Sequence, residues 1–458
     1  MLNRYIGDRA FYRRLFNIMI PVLIQYVITS FVSLLDNVMV GQVGTEPMSG
    51  VAIVNQLIYV FNMTIFGGLS GAGIFTAQFY GKADPEGIRH TMRAKYYVGL
   101  SAVAACLVVL LLRGEELIGL FLHEGKESLD LQATMDHGMS YMRVMLLTLL
   151  PFAVMQVYSS TLRECGQTFM PMLASVTAVF VNLIGNYILI FGKFGAPELG
   201  VVGAAISTVI ARWVECVMVV WWAHRNKARN SYIAGLYRSV KIPLSLAKQM
   251  IMTGSPLLVN ELLWSSGKTI LNQCYSIRGL EVVSALNIAT TISSLFFCAF
   301  FSMGNTIAVM IGQLLGAGEL ERAVDEDRKL IFFSASFSAC AGIVMAFCAS
   351  LIPEFYNTTD AVKDIATKLI LVHSVMMPLH AFVHASYFTM RSGGKTVITF
   401  FFDCGFMWAF SVLAAFILSR FTSLDIVAMF AIVEALECIK ALIGWYLLKK
   451  RAWVNKLV

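Results

Sequence analysis

Apolar runs long enough to cross a hydrocarbon core, about 20 residues, recur twelve times along this chain of 458 residues. They fall at 15–40, 50–75, 93–113, 138–160, 168–192, 199–222, 249–275, 283–313, 329–352, 364–390, 396–418 and 424–448. A chain crossing lipid must satisfy its own backbone groups, and runs of this length do so as helices. Only 14% of residues are charged, against about 25% in a soluble domain. The pattern predicts an all-α integral membrane protein with twelve transmembrane helices and leaves no soluble catalytic domain. The first run follows Arg4, Arg9, Arg13 and Arg14, as a signal peptide would, but its length and its Gln25 and Asp36 mark it as a permanent span.

The second constraint is a duplication. Sliding the chain by 235 residues gives twelve identities between Pro21 and Gly81, among them Pro21/Pro256, Gly44/Gly279, Glu46/Glu281, Phe61/Phe296, Phe66/Phe301, Gln78/Gln313 and Gly81/Gly316. Only Leu23/Leu258 and Ile53/Ile288 are aliphatic matches, so shared oiliness does not explain the register. Further on, the Leu162-Arg163-Glu164-Cys165-Gly166-Gln167-Thr168 turn resembles Met390-Arg391-Ser392-Gly393-Gly394-Lys395-Thr396, and Glu215-Cys216 resembles Glu437-Cys438. Two six-helix lobes are expected, residues 1–222 and 249–458, joined by a basic linker at 223–248. An even number of spans per lobe gives both repeats one orientation, related by a pseudo-twofold axis along the membrane normal. Pro21 and Pro256, at matched places in the first span of each lobe, are candidate hinges.

Basic residues set the orientation. Outside the spans, Lys and Arg number 21 on the segments that share a side with the amino terminus and 5 on the opposite loops, of which the longest is acidic (Glu115, Glu116, Glu124, Glu127, Asp130). Both termini are expected in the cytoplasm of a multi-pass cell-membrane protein. The same bias accounts for the net charge of +7 without nucleic acid. The nine cysteines show no external pair and no zinc spacing, and no cofactor is expected.

Asp36-Asn37-Val38-Met39-Val40-Gly41-Gln42-Val43-Gly44 resembles the first-span signature of the multidrug and toxic compound extrusion (MATE) family. So do Gly67-Gly68-Leu69-Ser70-Gly71-Ala72-Gly73 and Ala77-Gln78-Phe79-Tyr80-Gly81-Lys82-Ala83-Asp84, and Asn182-Leu183-Ile184-Gly185-Asn186-Tyr187 is similar to the family's fifth span. The resemblance implies an ion-coupled exporter of amphipathic, usually cationic compounds, working by alternating access of two lobes.

Charges kept inside lipid cost roughly 2.5–3.5 kcal/mol each and mark function or pairing. Asp36 lies near the external third of span one, and Asn182 and Asn186, one turn apart on span five, reach a similar depth. A carboxylate flanked by amides holds Na⁺ through oxygens or takes up a proton, and the resemblance places a coupling carboxylate and amides at these positions. Glu261, mid-span seven, has Tyr26 as its repeat mate, so the architecture does not demand it. The resemblance implies a cation-binding glutamate there, making Na⁺ at Asp36 or Glu261 an expectation. Lys268 is on the same face, seven residues on, placed to tune the field at Glu261. Span ten departs from the branch of the family that puts a carboxylate there. It offers His373, His380 and His384 on one face, a proton relay toward Glu261 that Asp403 would complete. Arg212/Glu215 and Glu434/Glu437/Lys440 have the i,i+3 spacing of structural pairs on one helix.

The leading expectation is therefore a monomeric secondary antiporter of amphipathic organic cations against H⁺ or Na⁺. No phosphate-binding loop of the Walker type and no nucleophile–base motif is present, so neither ATP nor enzymatic chemistry is expected. The alternative is a flippase for a lipid-linked or polysaccharide precursor, against which the intramembrane acids and scarce arginines count.

Overall fold

The computed structural model of the protein describes residues 4–121, 130–356 and 358–458. Glu124 and Glu127 of the acidic loop lie outside them. Among the described residues twelve helical rods follow one another. The first six are α1 (Arg9–Gly41), α2 (Thr45–Gly81), α3 (Pro85–Gly119), α4 (Leu131–Glu164), α5 (Phe169–Ile190) and α6 (Gly200–Arg225). The second six are α7 (Leu244–Ser276), α8 (Leu280–Ala317), α9 (Leu320–Cys348), α10 (Asp360–Ser392), α11 (Thr396–Phe421) and α12 (Ile426–Ala435 and Glu437–Lys449). Each apolar run of the sequence maps onto one rod. Ten rods are long and apolar enough to span on composition alone. The exceptions have physical reasons: Asn260, Glu261 and Lys268 dilute α7, and α12 is interrupted at Leu436.

Pro21 and Pro256 sit inside α1 and α7, and Pro378 inside α10. α11 winds as a π-helix over Phe401–Gly405 and again over Met407–Val412. Such segments are rare and gather at functional sites; this one carries Asp403.

The rods gather into two compact units. The first-half unit comprises Ile24–Thr76 and Pro85–Gln249; the second-half unit comprises Met250–Val458 together with Met1–Leu23 and Ala77–Asp84.

In the second-half unit, the end of α2 crosses α8 at the repeat-matched residues. A Cβ at Gly81 would run into the Gln313 carbonyl, and one at Gly316 into the Gln78 carbonyl. Only glycine lets two backbones approach so closely, and the reciprocity is what a duplicated Gln-x-x-Gly dictates. Arg14 of α1 donates to Gln313 Oε1 at 2.9 Å. Gln78 donates to the carbonyls of Ser392 (3.1 Å) and Asn455 (3.3 Å) and accepts from the Leu457 N–H (2.8 Å). The segment after α12 is thereby held down, with Trp453 only 2% exposed.

In the first-half unit, the basic stretch after α6 docks on α3 and α4. Arg93 donates to the carbonyls of Leu236 and Gly235, and the Tyr158 and Tyr237 hydroxyls lie 2.5 Å apart. Lys95 of α3 is fully buried, 2.5 Å from Glu164 Oε2, with Ser160 and Thr161 as further acceptors. A buried ammonium with three oxygen acceptors is what burial of that charge requires.

Truncating a fully buried tryptophan costs about 3–5 kcal/mol. Trp453→Ala is expected to lower the midpoint of thermal unfolding in detergent by several degrees; an unchanged midpoint would show that the carboxy-terminal segment carries no stability.

Candidate functional site

The polar groups inside the spans fall into separate clusters. In the first-half unit, Asn186 donates a short hydrogen bond to Asp36 Oδ1. Asn186 is fully buried, and among the described residues its own Oδ1 accepts no hydrogen bond. Asn182, one turn earlier, turns away: its side-chain amide donates to Thr208 Oγ1 of α6 at 3.1 Å, and Ser207 donates to its backbone carbonyl at 2.7 Å. Of the three predicted residues, two meet and the third holds α5 to α6.

A second network in this unit links three helices. Gln25 of α1 donates to Ser175 Oγ at 2.9 Å, and Ser175 donates a short bond to Glu215 Oε1 of α6. Glu215 Oε2 lies 2.9 Å from Arg212 Nη1, the expected i,i+3 pair, and the guanidinium rests over Phe152 at 5.3 Å.

The second-half unit repeats this network with other chemistry. Asn260 of α7 donates to Asp403 Oδ2 at 3.1 Å, and Lys440 Nζ of α12 is 2.9 Å from Asp403 Oδ1 and 3.8 Å from Glu437. The registers that pair the repeats set Gln25 against Asn260, Ser175 against Asp403 and Glu215 against Glu437. First, fifth and sixth helices are tied at equivalent points in both halves. In the first half, one carboxylate balances one guanidinium. In the second, two carboxylates share one ammonium.

Glu261 follows Asn260 directly. Among the described residues it makes no hydrogen bond and no ion pair within 4.0 Å; Arg391 and Asp403 act on it only through their fields. Lys268 does not serve it. The Lys268 ammonium lies 5.7 Å from the Trp264 ring centre, and its field falls on Glu434 and His373.

The span-ten histidines also part company with the expected relay. His380 Nε2 is 2.9 Å and His373 Nε2 3.9 Å from Glu434, so both face α12 rather than Glu261. His384 packs among Phe300, Phe301 and Phe388, and it is the histidine whose field reaches Asp403. Glu434 is therefore not part of an i,i+3 ladder with Glu437 and Lys440. The Leu436 N–H bonds the Val433 carbonyl and the Ile439 N–H bonds the Leu436 carbonyl. These i→i+3 bonds tighten the turn between Glu434 and Glu437.

Sequence reasoning missed Asn260, Arg391 and Lys95 as members of these networks and misassigned the partner of Glu434. Asn260 had a signal: it is the repeat mate of Gln25.

The family model MatE matches residues 21–188 and again 256–417, two matches that begin at the repeat-paired prolines Pro21 and Pro256. The chain belongs to the MatE family. Two relatives share the name probable multidrug resistance protein NorM. The one from Thermotoga maritima is 22% identical over 90% of this chain and 87% of its own, and the one from Bacillus subtilis is 24% identical over 90% and 89%. Among solved structures, an outward-facing multidrug resistance MATE family transporter of the MOP superfamily matches 98% of this chain and 97% of its own, at a TM-score of 0.84 and 19% identity. At that identity the match shows the fold alone: twelve helices in the two-lobe MATE arrangement. This MatE chain is thus a multi-pass membrane protein of a transporter family.

Removing one member of a buried ion pair costs about 3–5 kcal/mol, whereas replacing both is often neutral. Lys440→Met is expected to lower thermal stability in detergent, and Lys440→Met with Asp403→Asn to recover most of the loss. Additive losses would show that the two side chains do not act as a pair.

Proposed function

We propose that this MatE transporter exports amphipathic organic cations across the cell membrane in exchange for H⁺ or Na⁺. It acts as a monomer by alternating access of lobes 1–222 and 249–458, with the 223–248 linker and both termini in the cytoplasm. The observation that carries the reading is Glu261. A carboxylate in mid-span with no hydrogen bond or ion pair among the described residues is costly in lipid, and a cation that binds there recovers the cost. The names of the NorM relatives, probable multidrug resistance proteins, point the same way.

Coupling then needs only competition. An organic cation and the coupling ion seek the same negative charge, so each outside ion that binds helps expel the drug, and linkage makes the antagonism reciprocal. Asp36, tied to α5 through Asn186, offers a second carboxylate, serving a different step from Glu261. Pro21 and Pro256 lie inside the first helix of each repeat, where bending would let the lobes rock.

In proteoliposomes loaded with the fluorescent cation ethidium, the wild type is expected to respond to an imposed pH or Na⁺ gradient, whichever ion couples. Asp36→Asn should reduce the gradient-driven rate about tenfold or more, a typical coupling magnitude. Transport that persists with both gradients collapsed would overturn antiport. Failure to carry any organic cation in folded protein would favour the precursor flippase.

A further inference from the structure

We propose that Glu434, held between His380 and His373, is a proton-binding site distinct from Asp36 and Glu261. It rests on the exchange reading above and names H⁺ as an ion that the chain carries.

Glu434 lies two residues before the interruption of α12 at Leu436. α10 meets it with two imidazoles seven residues apart, hence on one face. Glu434 Oε2 lies 2.9 Å from His380 Nε2, and Oε1 lies 3.9 Å from His373 Nε2. The other nitrogen of His373, Nδ1, is 2.7 Å from Ser293 Oγ of α8. In the tautomer where the serine hydroxyl donates to Nδ1, the ring hydrogen sits on Nε2, the nitrogen on the Glu434 side. Phe297 packs on both imidazoles, with ring centres 5.3 and 6.0 Å away, and Phe430 on His373 at 5.0 Å. The other titratable groups whose fields reach the cluster, Lys268 and Tyr275, both come from α7.

The donor set selects the ligand. A hard cation such as Na⁺ wants several oxygens at once. Here Glu434 supplies one carboxylate, the Ser293 hydroxyl is already bonded to an imidazole, and Lys268 adds a repelling charge. A proton needs no coordination shell. One proton taken from water turns a neutral imidazole beside a carboxylate into an imidazolium–carboxylate pair, or the carboxylate into a carboxyl. Either way the cluster gains one positive charge and no other bond is made or broken. In the first case the contact becomes a charge-assisted bond, roughly twice as strong as a neutral one. In that case proton occupancy sets how firmly α12 is tied to α10, and release of the proton loosens that tie.

Infrared difference spectra of the full-length protein in detergent, taken between about pH 5 and 8 where imidazoles titrate, read this site without transport. The wild type is expected to show coupled carboxylate and imidazole bands that disappear in both Glu434→Gln and His380→Gln and persist in His384→Gln. Should Glu434→Gln not fold, His380→Gln reports the same contact from the other side. Bands that survive either substitution at the contact would overturn the proposal, as would a wild type with no coupled bands. In ethidium-loaded proteoliposomes, Glu434→Gln is expected to lose about tenfold or more of the pH-gradient-driven rate while keeping ethidium counterflow; an undiminished response to the pH gradient would overturn it too. If the wild type moves no ethidium, the exchange reading fails on its own, and the spectra still decide the proton site.

Discussion

Everything in this molecule is arranged around one cost: a charge inside hydrocarbon must find a counter-charge or hydrogen bonds, because lipid offers none. A helix alone rarely meets that need, so the partners come from neighbouring helices. Lys95 reaches Glu164, Glu215 takes Ser175 besides its own Arg212, and Lys440 reaches Asp403. Removing one member of such a pair strands the other. The contacts therefore fix which helices stay together, and they do so where side-chain packing alone has little preference between apolar surfaces.

The duplicated sequence gives these ties a shared geometry and then diversifies their chemistry. Gln25–Ser175–Glu215 and Asn260–Asp403–Lys440 join the same three helices of each repeat. The first is charge-balanced by Arg212. The second holds two carboxylates around one ammonium, and Glu261 stands directly beside it. Duplication explains why both networks exist, and divergence explains why the second-half unit carries the surplus negative charge. The same logic acts at the α2–α8 crossing, where Gly81 and Gly316, packed on the matched Gln313 and Gln78, remain glycine because a Cβ at either would collide with backbone.

The fold was legible because lipid thickness and helix rise fix the length of a span, and because a 235-residue register repeats residues that only geometry would conserve within one chain, such as Gly81 and Gly316. The site was only partly legible. Sequence spacing shows which residues share a helix face, so Arg212 and Glu215 could be paired on sight. It does not show which neighbouring helix that face meets. Glu434 was accordingly assigned to its own helix when its partners are His380 and His373 on α10, and Lys268 was assigned to Glu261 when its field falls on Glu434. Backbone departures at the i→i+3 turn of α12 and the π-helical stretches of α11 had no sequence signal strong enough to read, and they set where Glu434 and Asp403 lie.

The central proposal is that partnered charges hold the helices while Glu261, with no direct partner among the described residues, receives the cation. Equilibrium binding of ethidium to the solubilised protein, followed by fluorescence polarisation, tests it most directly when Glu261→Gln is compared with the equally conservative Glu215→Gln. The account predicts at least about a tenfold loss of affinity, or about 1.4 kcal/mol, for Glu261→Gln, with Glu215→Gln lowering thermal stability and leaving affinity close to wild type. Unchanged affinity in Glu261→Gln, or an equal loss in both variants, would contradict it.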